Sequence, residues 1–269
     1  MADLLPPSSI PCAGCWKENS MSQPKPDDLP NGLPPLLLPE QGLAREQQLL
    51  DRVVRNERGY GFLLWRSRRG LVVPTASSRL PGFELAGQRL ARRGWPLVLR
   101  QTGGDLTVQS PHLLNVAMVF ILNPVPGAIG QAYQRFCQPL LAALADMGID
   151  AYCGAVPGAF CDGDYNLVVD GRKLAGTAQR WRKVKGLEAQ AVLAHAAILC
   201  DEDEGELCRL TNDFYRYCRQ PRRVREDRHV TVSRLMGLKP GHSAMALLSR
   251  TLYQRLGQAS DFMEEQDEG

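Results

Sequence analysis

The arrangement of apolar and polar positions predicts regular secondary structure along most of the chain after residue 41. Five segments are predicted to be helices: 42–55, 81–93, 129–147, 205–219 and 243–256. Five shorter apolar runs are predicted to be strands: 62–65, 71–73, 96–99, 113–122 and 189–199. The run 113–122 is almost entirely apolar, so we expect it at the centre of a sheet with both faces covered.

A β-hairpin is predicted around Asp170-Gly171. Residues 166–169 and 174–181 flank this pair, and Asp-Gly between two apolar runs is a strong signal for a tight turn. The turn places Lys173 at the start of the second strand. It also places Gly176 inside that strand, where the missing side chain lets another group approach the backbone.

Cys161 precedes Lys173 by twelve residues and lies in a loop flanked by Gly158 and Gly163. A nearby ammonium stabilises a thiolate, which is the nucleophilic form of cysteine. The pair therefore has the parts of an activated nucleophile. The residues alone leave the alternative open, because most cysteines are small buried apolar residues and most lysines are solvated.

Three further places combine polar residues with predicted strands. The segment 100–105, Arg-Gln-Thr-Gly-Gly-Asp, is either a hairpin turn or a loop whose backbone N–H groups approach a ligand. Asn115 either bonds a neighbouring strand or contacts a ligand. His195 is either a core residue whose ring nitrogens are hydrogen-bonded to neighbours or a general base.

Composition narrows the class of protein. The chain has 269 residues, 44% of them hydrophobic and 23% charged, which is ordinary for one large globular domain or two small ones. A net charge of +3 does not require a nucleic-acid partner. No apolar run approaches the roughly 18 residues of a membrane span, and no signal peptide is visible. Eight scattered cysteines indicate reduced thiols, so we expect a cytoplasmic protein.

The two ends of the chain differ from the middle. Residues 1–39 contain nine of the 19 prolines and are predicted to form a disordered leader. Cys12 and Cys15 have a metal-ligand spacing, but zinc takes about four ligands and no second pair follows, so no metal site is predicted. Residues 259–269 contain five acidic residues and no basic one, and are predicted to form a frayed acidic tail.

The hairpin and the cysteine loop together resemble a known family. Residues 170–180, D-G-R-K-L-A-G-T-A-Q-R, resemble the G-[RK]-K-[IL]-[SA]-G-x-[AS]-Q-R signature of the biotin/lipoate protein ligase and octanoyltransferase superfamily. Residues 157–167, P-G-x-x-C-x-G-x-Y-x-L, resemble its branch of cysteine-dependent octanoyltransferases, which move octanoyl between lipoyl-carrier proteins through a thioester. Residues 100–105 resemble the family's R-R-x-G-G-G loop, with Asp105 in place of the third glycine. An aspartate is an awkward neighbour for a phosphate, so this departure fits a branch that does not use ATP.

The resemblance covers residues 42–236 and implies an α+β fold. The expected catalytic domain, 40–258, has a mixed, largely antiparallel sheet flanked by helices that enclose a narrow acyl tunnel. The resemblance implies that Cys161 is the catalytic nucleophile and that Lys173 stabilises the thiolate and the acyl carbonyl. Asn166 stands where the family often has aspartate. The substrate-binding residues that it implies are Arg100, Thr102, Gly103, Gly104, Asn115, Gly176, Thr177, Ala178 and His195.

The partners implied by the resemblance are proteins, and neither nucleic acid nor a membrane is expected. The acceptors are lysines of lipoyl domains, either those of 2-oxoacid dehydrogenase E2 subunits or the glycine cleavage H protein. Octanoyl-acyl carrier protein is a further candidate donor. The most basic stretch of the chain is either a docking site for an acidic lipoyl domain or a solvated loop. It contains Arg216, Arg219, Arg222, Arg223, Arg225 and Arg228.

Two other functions remain open at this point. An ATP-dependent lipoate or octanoate ligase would use Lys173, ATP and Mg but not Cys161, whereas the transferase needs no cofactor. A non-catalytic module that binds lipoyl proteins would bury Cys161. The sequence has no G-x-x-x-x-G-K-[ST], G-x-G-x-x-G or G-x-S-x-G motif, which excludes the common nucleotide-binding and serine-hydrolase classes.

Overall fold

The computed structural model describes residues 32–101, 104–239, 241 and 243–265, with side chains as far as residue 259 in the last segment. The strands are β1 Leu36–Leu37, β2 Tyr60–Ser67, β3 Gly70–Pro74, β4 Leu97–Arg100, β5 Thr107–Gln109, β6 Leu113–Leu122, β7 Tyr152–Gly154, β8 Asn166–Val169, β9 Arg172–Lys183 and β10 Gln190–Leu199. The helices are α1 Pro39–Val54, α2 Phe83–Ala91, α3 Ala128–Asp146, α4 Glu204–Tyr217, α5 Val232–Leu235 and α6 Ser243–Glu265.

Two sheets organise these elements. Seven strands form the larger sheet in the order β1-β2-β6-β10-β9-β8-β7, and its strands pair antiparallel except β1 with β2. The smaller sheet has the order β4-β3-β5, with β3 parallel to β4 and antiparallel to β5. The predicted α+β class, with a mixed and largely antiparallel sheet flanked by helices, is confirmed.

Strand β6 lies near the middle of the larger sheet and is buried along nearly all of its length, as its apolar run predicted. Val116 and Met118 belong to the core under α3 and α6. Ala117 and Val119 belong to a second core, which they share with α1. Successive side chains of a strand point to opposite faces, so a continuous apolar run is the sequence of a strand covered on both sides.

The hairpin of β8 and β9 has the predicted turn. Asp170 and Gly171 have φ of 48° and 71°, which is the left-handed pair that a two-residue hairpin turn requires. The strand after the turn is longer than expected and runs over Arg172–Lys183. Lys173 is therefore the second residue of β9, where the rigid sheet fixes its direction.

Several boundaries differ from the sequence predictions, and three of the differences are informative. Strand β1 lies inside the segment expected to be a disordered leader. The prolines before it have no N–H to donate, but the carbonyls of Pro34 and Pro35 accept hydrogen bonds from Arg66 and hold the segment against β2. Helix α2 begins after Pro81 because Gly82 takes a left-handed φ of 74°. Helix α6 continues past the expected end at residue 256 to Glu265, into the segment expected to be an acidic tail. Residues 1–31, with Cys12 and Cys15, lie outside the described residues.

The helices cover three surfaces of the two sheets. Helices α3 and α6 pack on one face of the larger sheet, and α1 packs on the other. Helices α2 and α4 pack with the smaller sheet around a core that includes Leu90, Leu106 and Phe214. None of the helices within 32–101, 104–239 and 243–265 is long and apolar enough to cross a membrane.

Candidate active site

The loop between β7 and β8 carries Cys161 in an unusual backbone conformation. Its φ is +44°, in the left-handed region that residues other than glycine seldom occupy. Asp162 closes the loop, because its Oδ1 accepts hydrogen bonds from Val156 N at 2.7 Å and from Asn166 Nδ2 at 3.0 Å. Asn166 Nδ2 also donates to Gly163 O at 2.7 Å. An aspartate at 166 would lack these donors, which explains why an amide suits this chain.

Lys173 lies directly behind this loop and is completely buried. Its Nζ donates hydrogen bonds of 2.6 Å to Phe160 O and to Cys161 O. The Nζ also lies 5.1 Å from the centroid of the Phe160 ring, within the range of a cation–π contact. Burial lowers the pKa of Lys173 to about 8, and the neighbouring Cys161 and Asp162 oppose that effect. One ammonium thus fixes two consecutive carbonyls at the cysteine.

The glycine loop that follows β4 brings a backbone donor to the cysteine. Asp105 N donates to Cys161 Sγ at 3.1 Å. Gly104 has a φ of +92°, and a Cβ there would lie 3.2 Å from Cys161 Sγ and 2.9 Å from Arg100 Nη2. Arg100 is buried and donates to Asp105 O at 2.7 Å and to Thr107 Oγ1 at 3.2 Å. Thr102 and Gly103 lie outside the described residues.

A cleft opens where the two sheets meet, and its empty volume is about 490 Å³ when the part open to solvent is counted. Leu43, Trp65 and Val72 contribute apolar walls from α1, β2 and β3. Most of the predicted site residues also line the cleft. These are Arg100, Asn115, Cys161, Gly176, Thr177, Ala178 and His195. The structure therefore brings together residues that lie as much as 95 positions apart (100 to 195) in the sequence.

Gly176 separates the cleft from the buried ammonium. A Cβ on Gly176 would lie 3.0 Å from Lys173 Nζ, which is closer than most real Cβ contacts. Beside it, Thr177 Oγ1 donates to Tyr165 O at 2.7 Å. Gly176 thus lies beside the buried ammonium and also lines the cleft.

Asn115 and His195 both have local partners on the cleft wall. Asn115 exchanges two hydrogen bonds with buried Gln109, of 2.8 and 3.0 Å. His195 Nδ1 lies 3.2 Å from Glu46 Oε2, and Trp65 Nε1 donates to Glu46 Oε1 at 3.0 Å. Each side chain is hydrogen-bonded to a neighbour and also lines the cleft. Ligand contact by Asn115 and a general-base role for His195 therefore stay predictions.

His229 supports the cysteine loop and was not found from the sequence. Its Nε2 accepts from Phe160 N at 3.2 Å, and its ring stacks on that of Phe160 at 4.4 Å. Burial lowers the pKa of His229 to about 4, so the ring is neutral near pH 7. Because Nε2 accepts, Nδ1 carries the proton and points to Cys208 Sγ at 3.6 Å.

Glu46 was also missed, although the sequence contains a signal for it. It lies three residues after Leu43, so it falls on the apolar face of the predicted helix, and the structure buries it. A carboxylate on that face needs polar partners. His229 has no such signal, because it follows an irregular basic stretch.

The chain is thus an α+β domain with Cys161 at a cleft between its two sheets and Lys173 buried behind the cysteine loop. The chain belongs to the lipoyl protein ligase A/B catalytic domain family, whose family model matches residues 39–245.

Named relatives show which proteins the chain is similar to. It is 36% identical over 162 residues to an uncharacterised protein of Cupriavidus necator, covering 56% of this chain and 64% of that protein. It is 33% identical over 183 residues to an octanoyl-[GcvH]:protein N-octanoyltransferase of Kyrpidia tusciae, covering 65% of this chain and 62% of that protein. The chain thus spans less than two thirds of either relative.

Solved structures show the same fold. A crystal structure of lipoate-protein ligase A bound with ATP superposes with a TM-score of 0.60 and 18% identity. The superposition covers 85% of this chain and 86% of that chain. At this identity the likeness establishes the shared fold and not a shared activity.

Proposed function

We propose that the protein transfers an octanoyl or lipoyl group to the lysine of a lipoyl domain through a thioester on Cys161. The observation that carries this proposal is the environment of the cysteine. Its loop is held by Lys173 and His229, its sulfur accepts the Asp105 N–H, and it opens on the cleft. The Kyrpidia tusciae relative, by its name, transfers octanoyl from GcvH to protein.

The reaction has two steps. In the first, the Cys161 thiolate attacks the acyl carbonyl of the donor, and the donor's amine or thiolate leaves and takes up a proton. In the second, the neutral amine of the acceptor lysine attacks the Cys161 thioester, which forms the amide, releases the Cys161 thiolate and gives one proton from the amine to solvent. Lys173 supports both steps by its positive charge and by fixing the Phe160 and Cys161 carbonyls.

The arginine segment 216–228 is the proposed docking site for the acidic protein that carries the acyl group. Arg222 forms an ion pair with Asp105, and Arg225 N donates to Gly158 O at 2.9 Å, so the segment borders the cysteine loop. Arg219 and Arg223 are exposed, and no carboxylate within the described ranges pairs with them. Lipoyl domains of E2 subunits and the H protein are the proposed partners, and the cytoplasm is the proposed compartment.

The test is intact-mass spectrometry of the protein after incubation with octanoylated H protein and, separately, with octanoyl-acyl carrier protein. We expect a gain of one octanoyl group that hydroxylamine removes and that Cys161→Ala abolishes. Lys173→Ala should slow adduct formation by about 10²- to 10³-fold, the typical cost of losing a preorganised donor.

A different result would point to the ligase. Acylation of a lipoyl domain that requires ATP and persists in Cys161→Ala would rule out the thioester route. Binding of a lipoyl domain without any acyl transfer would identify a non-catalytic module.

A further inference from the structure

Asp105 connects the glycine loop to helix α4 and to the arginine segment. Its Oδ2 accepts a hydrogen bond of 2.7 Å from Tyr215 Oη and forms the ion pair with Arg222. Its Oδ1 accepts from Leu106 N at 2.7 Å, and its carbonyl accepts from Arg100 Nη2 at 2.7 Å. Both carboxylate oxygens and the carbonyl are engaged, and the remaining polar group is the N–H that donates to Cys161 Sγ.

We propose that Asp105 is a positioning residue for the acyl transfer: its side chain, held by Tyr215 and Arg222, fixes the peptide N–H that donates to the sulfur of Cys161. This inference rests on the proposed function, because it concerns the same nucleophile. The residue before it, Gly104, has a φ of +92°, and glycine gives a loop wide conformational freedom. The anchored side chain of Asp105 restricts that freedom, at the position where the family's R-R-x-G-G-G loop has its third glycine.

The aspartate carries a charge that opposes its own proposed effect. A carboxylate near a thiol disfavours the thiolate by charge repulsion, whereas a fixed N–H donor favours it through a charge-assisted hydrogen bond. Arg222 offsets the charge of Asp105. Burial, followed by the Asp105 charge, raises the pKa of Tyr215, so its hydroxyl stays a neutral donor.

These two effects predict opposite results when the side chain is removed. If charge dominates, Asp105→Ala makes Cys161 more reactive, because a negative group has gone and Arg222 is left unpaired. If positioning dominates, Asp105→Ala makes Cys161 less reactive, because the loop loses its anchor and the N–H no longer stays on the sulfur. The sign of the change therefore separates them.

The experiment measures the rate constant for alkylation of Cys161 by iodoacetamide at neutral pH in the full chain, followed by mass spectrometry of the Cys161 peptide. The same variants are assayed for kcat and KM with octanoylated H protein. We expect Asp105→Ala to slow alkylation about tenfold and to lower kcat with little change in KM. Tyr215→Phe should act in the same direction but less, and Asp105→Asn should recover part of the loss because it keeps a side-chain oxygen as acceptor.

Asp150→Ala is the matched control, since Asp150 is an exposed aspartate in the turn between α3 and β7 and takes no part in the contacts of Asp105. It should behave like the wild type. Alkylation of Asp105→Ala at the wild-type rate or faster would overturn the proposal, even if acyl transfer fell. If Asp105→Ala does not fold, Tyr215→Phe and Asp105→Asn provide the test: slower alkylation of Cys161 than in the wild type supports positioning, and equal or faster alkylation overturns it. A wild-type protein that transfers no acyl group while Asp105→Ala still slows alkylation would refute the proposed function and leave the positioning intact.

Discussion

Cys161 has a backbone conformation that its own side chain does not favour, and its neighbours maintain it. Lys173 binds the Phe160 and Cys161 carbonyls, and Asp162 ties the two ends of the loop together. Positive φ at a residue other than glycine costs of order 1–3 kcal/mol and persists only where surrounding contacts impose it. The bonds that impose it here surround the proposed nucleophile, so they also fix the direction from which its sulfur can attack.

The lowered pKa of Lys173 predicts a pH limit on the activity. With a pKa of about 8, the side chain is mostly an ammonium at neutral pH and loses its proton as pH rises through that value. The positive charge that supports the Cys161 thiolate is lost with it. We therefore expect kcat/KM for octanoyl transfer to fall above about pH 8 in the wild type.

Lys173→Arg provides the comparison, because a guanidinium stays protonated over this range. The variant should have a lower kcat/KM, since an arginine fits the buried site poorly, but it should lack the decline near pH 8. A decline with the same midpoint in both proteins would show that a group other than Lys173 titrates.

At the scale of elements, His229 joins the cysteine loop to the chain that follows α4. Its ring stacks on Phe160, and Val230 N donates to Lys173 O at 3.0 Å. An element held through one neutral buried histidine is sensitive to acid, because protonation would place a charge where burial disfavours it.

We expect the free energy of unfolding to fall as pH drops from about 6.5 toward 4. His229 has a pKa of about 4 in the folded protein against an ordinary 6.5, so between these values the unfolded chain binds a proton that the folded chain does not. One such proton contributes a slope of at most about 1.4 kcal/mol per pH unit. Urea unfolding of the wild type and of His229→Gln across this range measures it. Equal slopes in the two proteins would contradict the assignment.

The sequence predicts contiguous elements well and contacts between distant elements poorly. The β8–β9 hairpin and the buried strand β6 follow from local patterns, namely Asp-Gly between apolar runs and ten nearly unbroken apolar residues. The positions of Cys161 and Lys173 follow from a motif that spans a single loop and hairpin. The contacts of Asp105 with Tyr215 and of Phe160 with His229 link residues about 110 and 69 positions apart. The spacing of apolar and polar residues along the chain does not predict such contacts.

At the scale of the whole molecule, the cleft lies where the larger and smaller sheets meet. Arg100 and Gln109 come from the smaller sheet, whereas Asn115, Gly176 and His195 come from the larger one. Cys161 reaches the same cleft from a loop near the edge of the larger sheet. The site is thus complete only after both sheets have packed, which is why single segments gave candidate residues but not their arrangement.

The arginine segment 216–228 contacts Asp105 and the cysteine loop, and its charge predicts how the proposed carrier proteins are recognised. Attraction between opposite charges speeds the encounter of two proteins and weakens as salt screens it. We expect the double variant Arg219→Glu/Arg223→Glu to lower kcat/KM for an octanoylated carrier protein about tenfold. It should also reduce the dependence of kcat/KM on salt.

Two comparisons make this prediction specific to docking. A small thioester donor such as octanoyl-pantetheine does not need the surface, so the double variant should acylate Cys161 from it at the wild-type rate. Arg250→Glu changes an exposed arginine on α6, which packs against α3 on the larger sheet, and should leave both substrates unaffected. Equal losses with the protein and the small donor would mean that the arginines act on the cysteine loop itself. An unchanged rate with both donors would mean that the carrier protein approaches the cleft from another side.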